Sequence, residues 1–156
     1  MSAQERVLVS HQDAEWLPAH GRADVVLAGE PDVAPVPVCL VRVLVTRGDN
    51  VLVEARPDGR GLDIPTGAVR DGTWEEALED LLRRTVPDGC RQAQLLGYVR
   101  NDVPGAPEGY PWPTPHAHFV VWYCRLPADR DAPGAWLDPV RAEAELRERH
   151  WWPLAA

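Results

Sequence analysis

Lysine is absent from this chain: all sixteen basic residues are arginine, and isoleucine occurs once. With abundant alanine, proline, glycine and tryptophan, this bias reads as genome composition, so the arginine count by itself carries no function. Positive charge is not in excess either. A formal net charge of −8 leaves no basic stripe to neutralise a phosphate backbone, which argues against nucleic acid as a partner while leaving room for a small anion where arginines cluster. Cysteine is scarce. Cys39, Cys90 and Cys124 are odd in number, far apart and without a Cys-x-x-Cys pair, which argues against a disulfide framework and a zinc ribbon and fits a reducing compartment. Long apolar runs are missing as well. The N-terminus has early acids and too short an apolar stretch for a signal peptide, and nothing later reaches membrane-spanning length, so the expectation is a soluble, cytoplasmic protein with no membrane partner.

What is present suits one domain of 156 residues. A chain of this size buries roughly 70% of its unfolded surface, so stability alone calls for no disulfide or metal. Residues 1–35 read as an N-terminal extension and lead-in: two short apolar runs, "RVLVS" and "ADVVLAG", then the stiff "EPDVAPVP". Residues 36–156 carry the clearer pattern. "VPVCLVRVLVT", "RGDN" and "VLVEAR" form a β-hairpin with a Gly-containing turn. A helix is expected over 74–86, with Thr73 and Glu76 at capping-box spacing and "PDG" ending it. "QAQLLGYVR" and "AHFVVWYCRL" read as strands around a proline-rich loop. Asp138 and Pro139 then open a second helix before "HWWPL". Strands, helix, strands, helix define an α/β domain with a mixed sheet.

"NVLVEAR", "GLDIPTGAVRDG" and "EEALEDLLRRT" together resemble the Nudix superfamily, and "HWWPL" resembles its Trp-Pro segment. The resemblance covers residues 36–154 and implies a Nudix-like α/β/α sandwich. It also implies hydrolysis of nucleoside-diphosphate-linked compounds, with helix carboxylates holding divalent ions that polarise the diphosphate and activate water. The helix departs from that pattern. Aligning its apolar positions and Thr85 with the family needs two deleted residues, keeps Asp80 as a carboxylate and puts Arg83 and Arg84 where glutamates are expected. The ungapped and one-deletion alignments leave no carboxylate in place. In each alignment the paired glutamates are missing, and arginine cannot ligate a cation.

Two readings stay open. One is a catalytically degenerate Nudix-fold protein that binds a small phosphorylated or nucleotide-like ligand, or a protein partner, with no metal cofactor. Its candidate ligand-binding residues are Arg56, Arg70, Arg83, Arg84, Tyr110 and Trp112: arginines for charge-assisted bonds to phosphate, aromatics for stacking. The other is a hydrolase dependent on Mg²⁺ or Mn²⁺, with a metal site rebuilt from Glu76 and Asp80, or from Glu75, Glu79 or Glu108. A structural subunit with a vestigial pocket is a third, weaker alternative. His116 and His118 alternate onto one strand face, a spacing that also suits Zn²⁺ or Fe²⁺, although no third ligand follows them.

Overall fold

The computed structural model describes residues 4–87, 90, 92–105, 107–130 and 132–156. Two strands, Arg6–Gln12 (β1) and Arg22–Leu27 (β2), precede Val38–Arg47 (β3), Asn50–Ala55 (β4), Leu62–Asp63 (β5) and Thr66–Ala68 (β6). Helix Trp74–Thr85 (α1) leads to Gln94–Asp102 (β7), His116–Leu126 (β8) and Ala135–Leu137 (β9). Helix Pro139–Leu146 (α2) and a 3-10 turn at Trp152–Leu154 complete the chain. The sheet runs β1-β2-β7-β8-β3-β4-β5, with β6 also on β3 and β9 on β4. Only β3 and β8 pair in parallel among the described strands, so the sheet is mixed.

Alternation along β3 sets the layers. Val41, Val43 and Val45 join Val120, Trp122 and Cys124 of β8 in one core, which α1 covers with Leu81 and the partly buried Trp74, Ala77, Leu78 and Leu82. That three-and-four spacing is one helical face. Leu44 and Val121 face the other way, into a core closed by Leu137, Ala142, Leu146, Trp151 and Leu154. The result is an α/β/α sandwich. At Gly97 the sheet tolerates no side chain, because a Cβ would meet the Val26 carbonyl and the Leu154 side chain.

Local signals place both helices. The Thr73 hydroxyl accepts from the Glu76 N–H at 3.2 Å, and acids in the first turn with arginines in the last complement the helix dipole. The Asp138 carboxylate caps α2 through the Arg141 N–H at 2.9 Å. This helix is shorter than "PVRAEAELRER" suggests. The chain leaves it early and carries Arg149 and Trp151 to β5, where their hydrogen bonds are made.

Longer-range arrangements are not local properties. β2 pairs with β7 from Arg22 opposite Asp102 to Leu27 opposite Gly97, so residues 6–27 widen the main sheet. The β3–β4 hairpin forms around Gly48 but is tied only by Thr46 opposite Val51 and Arg47 opposite Asn50. Beyond those pairs the strands fork: β6 takes the edge of β3 at Leu40–Arg42, and β4 turns to β5 and β9. The fork opens the cavity described below.

The cysteine expectation needs correction, because Cys90 and Cys124 form a disulfide while Cys39 stays free and buried. Their separation of 34 residues hides the pairing, which depends on β8 passing beside the segment after α1. The cysteines therefore give no argument for a reducing compartment. None of the described helices is long and apolar enough to cross a membrane. Loop-closure entropy predicts that Cys90→Ser lowers stability by about 2–4 kcal/mol. Denaturant melts of the oxidised protein and the variant measure this, and peptide mapping should recover the linked pair.

Candidate functional site

In the fork lies a cavity of ≈ 450 Å³ lined by Leu40 and Arg42 of β3, Glu54 and Ala55 of β4, Arg56, Asp63, Ile64, Thr66, Ala68 and Arg84 of α1. The alternation that buries Val41 and Val43 turns Arg42 to the cavity side. Asp63 is buried and heavily engaged. Its Oδ1 accepts from the Trp151 indole N–H at 2.9 Å and the Ile64 N–H at 2.8 Å, and its Oδ2 faces Arg42 Nε at 3.4 Å. Burial pushes the Arg42 pKa down, Asp63 pulls it back up, and the positive charges of Arg56 and Arg149 push it down again. Three arginines, Arg42, Arg56 and Arg84, thus line the cavity beside two carboxylates, Glu54 and Asp63.

Arg84 closes the wall from the helix side. Its Nη1 donates to Glu54 Oε1 at 2.5 Å and its Nη2 to the Thr66 carbonyl at 3.3 Å. Arg56 meets the Asp58 carboxylate through Nε at 3.1 Å and Nη2 at 2.7 Å. That contact raises the arginine's pKa, and the same bond, with the Arg60 N–H, lowers that of Asp58. Hydrogen bonds from Arg149 to the Leu62 and Arg60 carbonyls, both 2.9 Å, brace the rim.

Of the residues singled out from sequence, Arg56 and Arg84 line this cavity, and four do not. Arg83 points to solvent and pairs with Glu79 at 2.8 Å and Asp80 at 3.2 Å. Successive helical residues diverge by about 100°, so two adjacent arginines cannot both face inward. Arg70 is exposed on the loop before α1. Tyr110 is half-buried in the loop between β7 and β8, and Trp112 packs edge-on to Phe119 at 5.2 Å. Sequence reasoning passed over Arg42, Glu54 and Asp63. Strand alternation was the available signal for Arg42; the others depend on tertiary contacts.

The residues do not fit the divalent ion that the resemblance implies. A hard cation takes six or more oxygen ligands, whereas the α1 side chain in the lining is a guanidinium, which only donates. Glu75, Glu76, Glu79 and Asp80 are exposed, and Glu108 lies in the distant β7–β8 loop. No three His, Cys, Asp or Glu gather into a metal shell among the described residues. His118 is committed elsewhere: its Nε2 accepts from Arg100 Nε at 3.0 Å and its Nδ1 lies 3.0 Å from the Pro37 carbonyl, to which it donates as the matching tautomer. His116 faces Asp102 at 3.7 Å.

The fold is an α/β/α sandwich on a mixed sheet, and an arginine-lined cavity lies at the C-terminus of α1. Among solved structures, the chain is similar to that of a point mutant of the Bacillus subtilis pyrophosphohydrolase BsRppH, with 15% identity and a TM-score of 0.52, over 82% of this chain and 70% of that one. At that identity the likeness concerns the fold. No protein-family model matches the chain, and no curated protein does.

Two outcomes follow from these contacts. Removing one partner of a buried, hydrogen-bonded ion pair strands the other, so Asp63→Ala should cost about 3–5 kcal/mol in denaturant melts. Asp63→Asn, which still accepts from the indole, should cost less. His118 gives a pH dependence. Burial lowers its pKa, the Pro37 carbonyl raises it, and Arg100 and His116 lower it again. Protonation thus favours the unfolded chain: stability is full above the ordinary histidine pKa of about 6.5 and falls as pH drops below it towards the depressed folded value. Thermal melts across this range should show a shallower loss in His118→Gln; an unchanged slope would assign the effect to other groups.

Proposed function

We propose that this protein binds a small phosphorylated ligand in the fork cavity and does not hydrolyse it. The observation that carries the reading is Arg84, whose guanidinium bridges Glu54 and the Thr66 carbonyl in a wall shared with Arg42 and Arg56. A covalently tethered cation stands where a diphosphate would otherwise need a metal ion, so binding requires no cofactor. Arg84 and Glu54 are partly exposed, at 52% and 35% of their side chains, and such a pair is worth only about 0–1 kcal/mol. An incoming phosphate can replace Glu54 at little cost and gain charge-assisted, bidentate hydrogen bonds. A guanidinium offers no coordination position at which water becomes a nucleophile. Binding without turnover follows.

Calorimetric titration of inorganic pyrophosphate in EDTA tests the reading. Each lost charge-assisted bond should cost about 1.5–3 kcal/mol, so Arg84→Ala and Arg56→Ala should weaken binding roughly 10- to 150-fold. Arg83→Ala should leave it unchanged. Binding that appears only with Mg²⁺ or Mn²⁺, or phosphate release from nucleotide sugars, dinucleotides or nucleoside triphosphates, would replace this reading with a hydrolase.

A further inference from the structure

A second cavity, of ≈ 600 Å³, opens at the other end of β3, between α2 and the C-terminal 3-10 turn. Helix α2 packs over β4 and β5 and the 3-10 turn over β1 and β2, so the ends of β8 and β3, which lie between them in the sheet, stay open. Arg42 of the fork cavity and Thr46 of this one are four residues apart on β3, about 13 Å along the strand. The two cavities are separate.

Strand register sets the floor. In the parallel pair of β3 and β8, Leu44 stands opposite Tyr123 and Thr46 opposite Arg125, and alternation turns all four to the side away from α1. Leu96 of β7, Trp152 and Leu154 add an apolar wall, of which Leu96 and Trp152 are only partly buried. The donors gather on the floor. Thr46 Oγ1 and Tyr123 Oη are 3.1 Å apart, and since two hydroxyls carry two hydrogens and their mutual bond uses one, an O–H remains for an acceptor in the cavity. Arg125, beside Thr46 on the neighbouring strand, has no ion pair and no side-chain hydrogen bond among the described residues. Its guanidinium is unengaged. The carboxylates of the lining, Asp49 and Glu143, belong to the β3–β4 turn and to α2, and both are exposed.

We propose that this cavity binds a monoanionic amphiphile, a carboxylic acid with an aromatic or branched apolar body. The carboxylate takes the Arg125 guanidinium and the free O–H of the Thr46–Tyr123 pair, through charge-assisted bonds roughly twice as strong as neutral ones. The body lies on Leu96, Trp152 and Leu154. An apolar lining with a few polar groups that orient the ligand is the usual make-up of a small-molecule pocket. Asp49 and Glu143 repel a second negative charge, which disfavours a phosphate dianion here and sets the site apart in chemistry from the fork cavity. The assignment is independent of what the fork cavity holds.

NMR titration of the full chain with phenylacetate, phenylacetamide and phenethylamine, probes of one shape and different charge, tests it. Phenylacetate should bind about tenfold or more tighter than the amide, as loss of a charge-assisted bond implies, and the amine no tighter than the amide. Arg125→Gln should bring phenylacetate down to the level of the amide while leaving the amide's Kd unchanged, and Tyr123→Phe, which keeps the Thr46 hydroxyl, should weaken phenylacetate less. Thermal melts confirm that each variant is folded. Acetate, which has the charge without the body, should not displace phenylacetate. Tightest binding by the amine would make Asp49 and Glu143 the recognising groups and overturn the carboxylate assignment. Equal affinities for the probes, no binding of phenylacetate, or an Arg125→Gln variant that binds it as the parent does would overturn the proposal as well.

Discussion

One buried carboxylate joins three parts of the chain that are far apart in sequence. Asp63 takes hydrogen bonds from the Trp151 indole and the Ile64 N–H and faces the Arg42 guanidinium, so the C-terminal segment, β5 and the central strand β3 meet at two oxygens. A buried anion is tolerable only with such partners, and a half-satisfied network would be worse than an apolar core. Each contact also shapes the cavity. Trp151 anchors the chain that bears Arg149 and His150, Ile64 fixes the floor, and Arg42 is held at the wall. The early end of α2 belongs to the same arrangement, since a longer helix would carry Trp151 away from Asp63.

Charge in the cavity is balanced by pairs of unequal depth. Arg42 and Asp63 are nearly enclosed, with 20% and 10% of their side chains exposed, and this pair serves the fold. Arg84–Glu54 and Arg56–Asp58 are open to water and weakly held, so their guanidiniums can exchange partners. The inner pair is neutral as a unit and fixes the wall, and the outer pairs carry the donors that a phosphate would take over on the proposed function.

What the sequence made legible follows the range of each interaction. The β3–β4 hairpin, the Thr73 cap and the Asp138–Pro139 helix start are set by residues within a few positions of one another. The resemblance carried the fold further, to the sandwich and the loop–helix unit. The pairing of β2 with β7, the Cys90–Cys124 disulfide and the Trp151–Asp63 hydrogen bond join residues 34 to 88 positions apart, and no local pattern encodes them. The site was half legible for the same reason. Arg56 and Arg84 were found as motif positions, and Arg42 was overlooked inside an apolar strand.

The two arginines in the last turn of α1 serve different ends. An arginine at the last turn stabilises the helix through its dipole in any setting, and Arg83 does this from the solvent side through Glu79 and Asp80. Arg84 occupies the neighbouring position but reaches across the fork to β4 and β6, so its geometry exceeds what helix stability requires. Arg84 thereby sets a fixed cation against a main-chain carbonyl at the cavity wall, and on the proposed function that cation would meet a phosphate directly, with no metal ion between them.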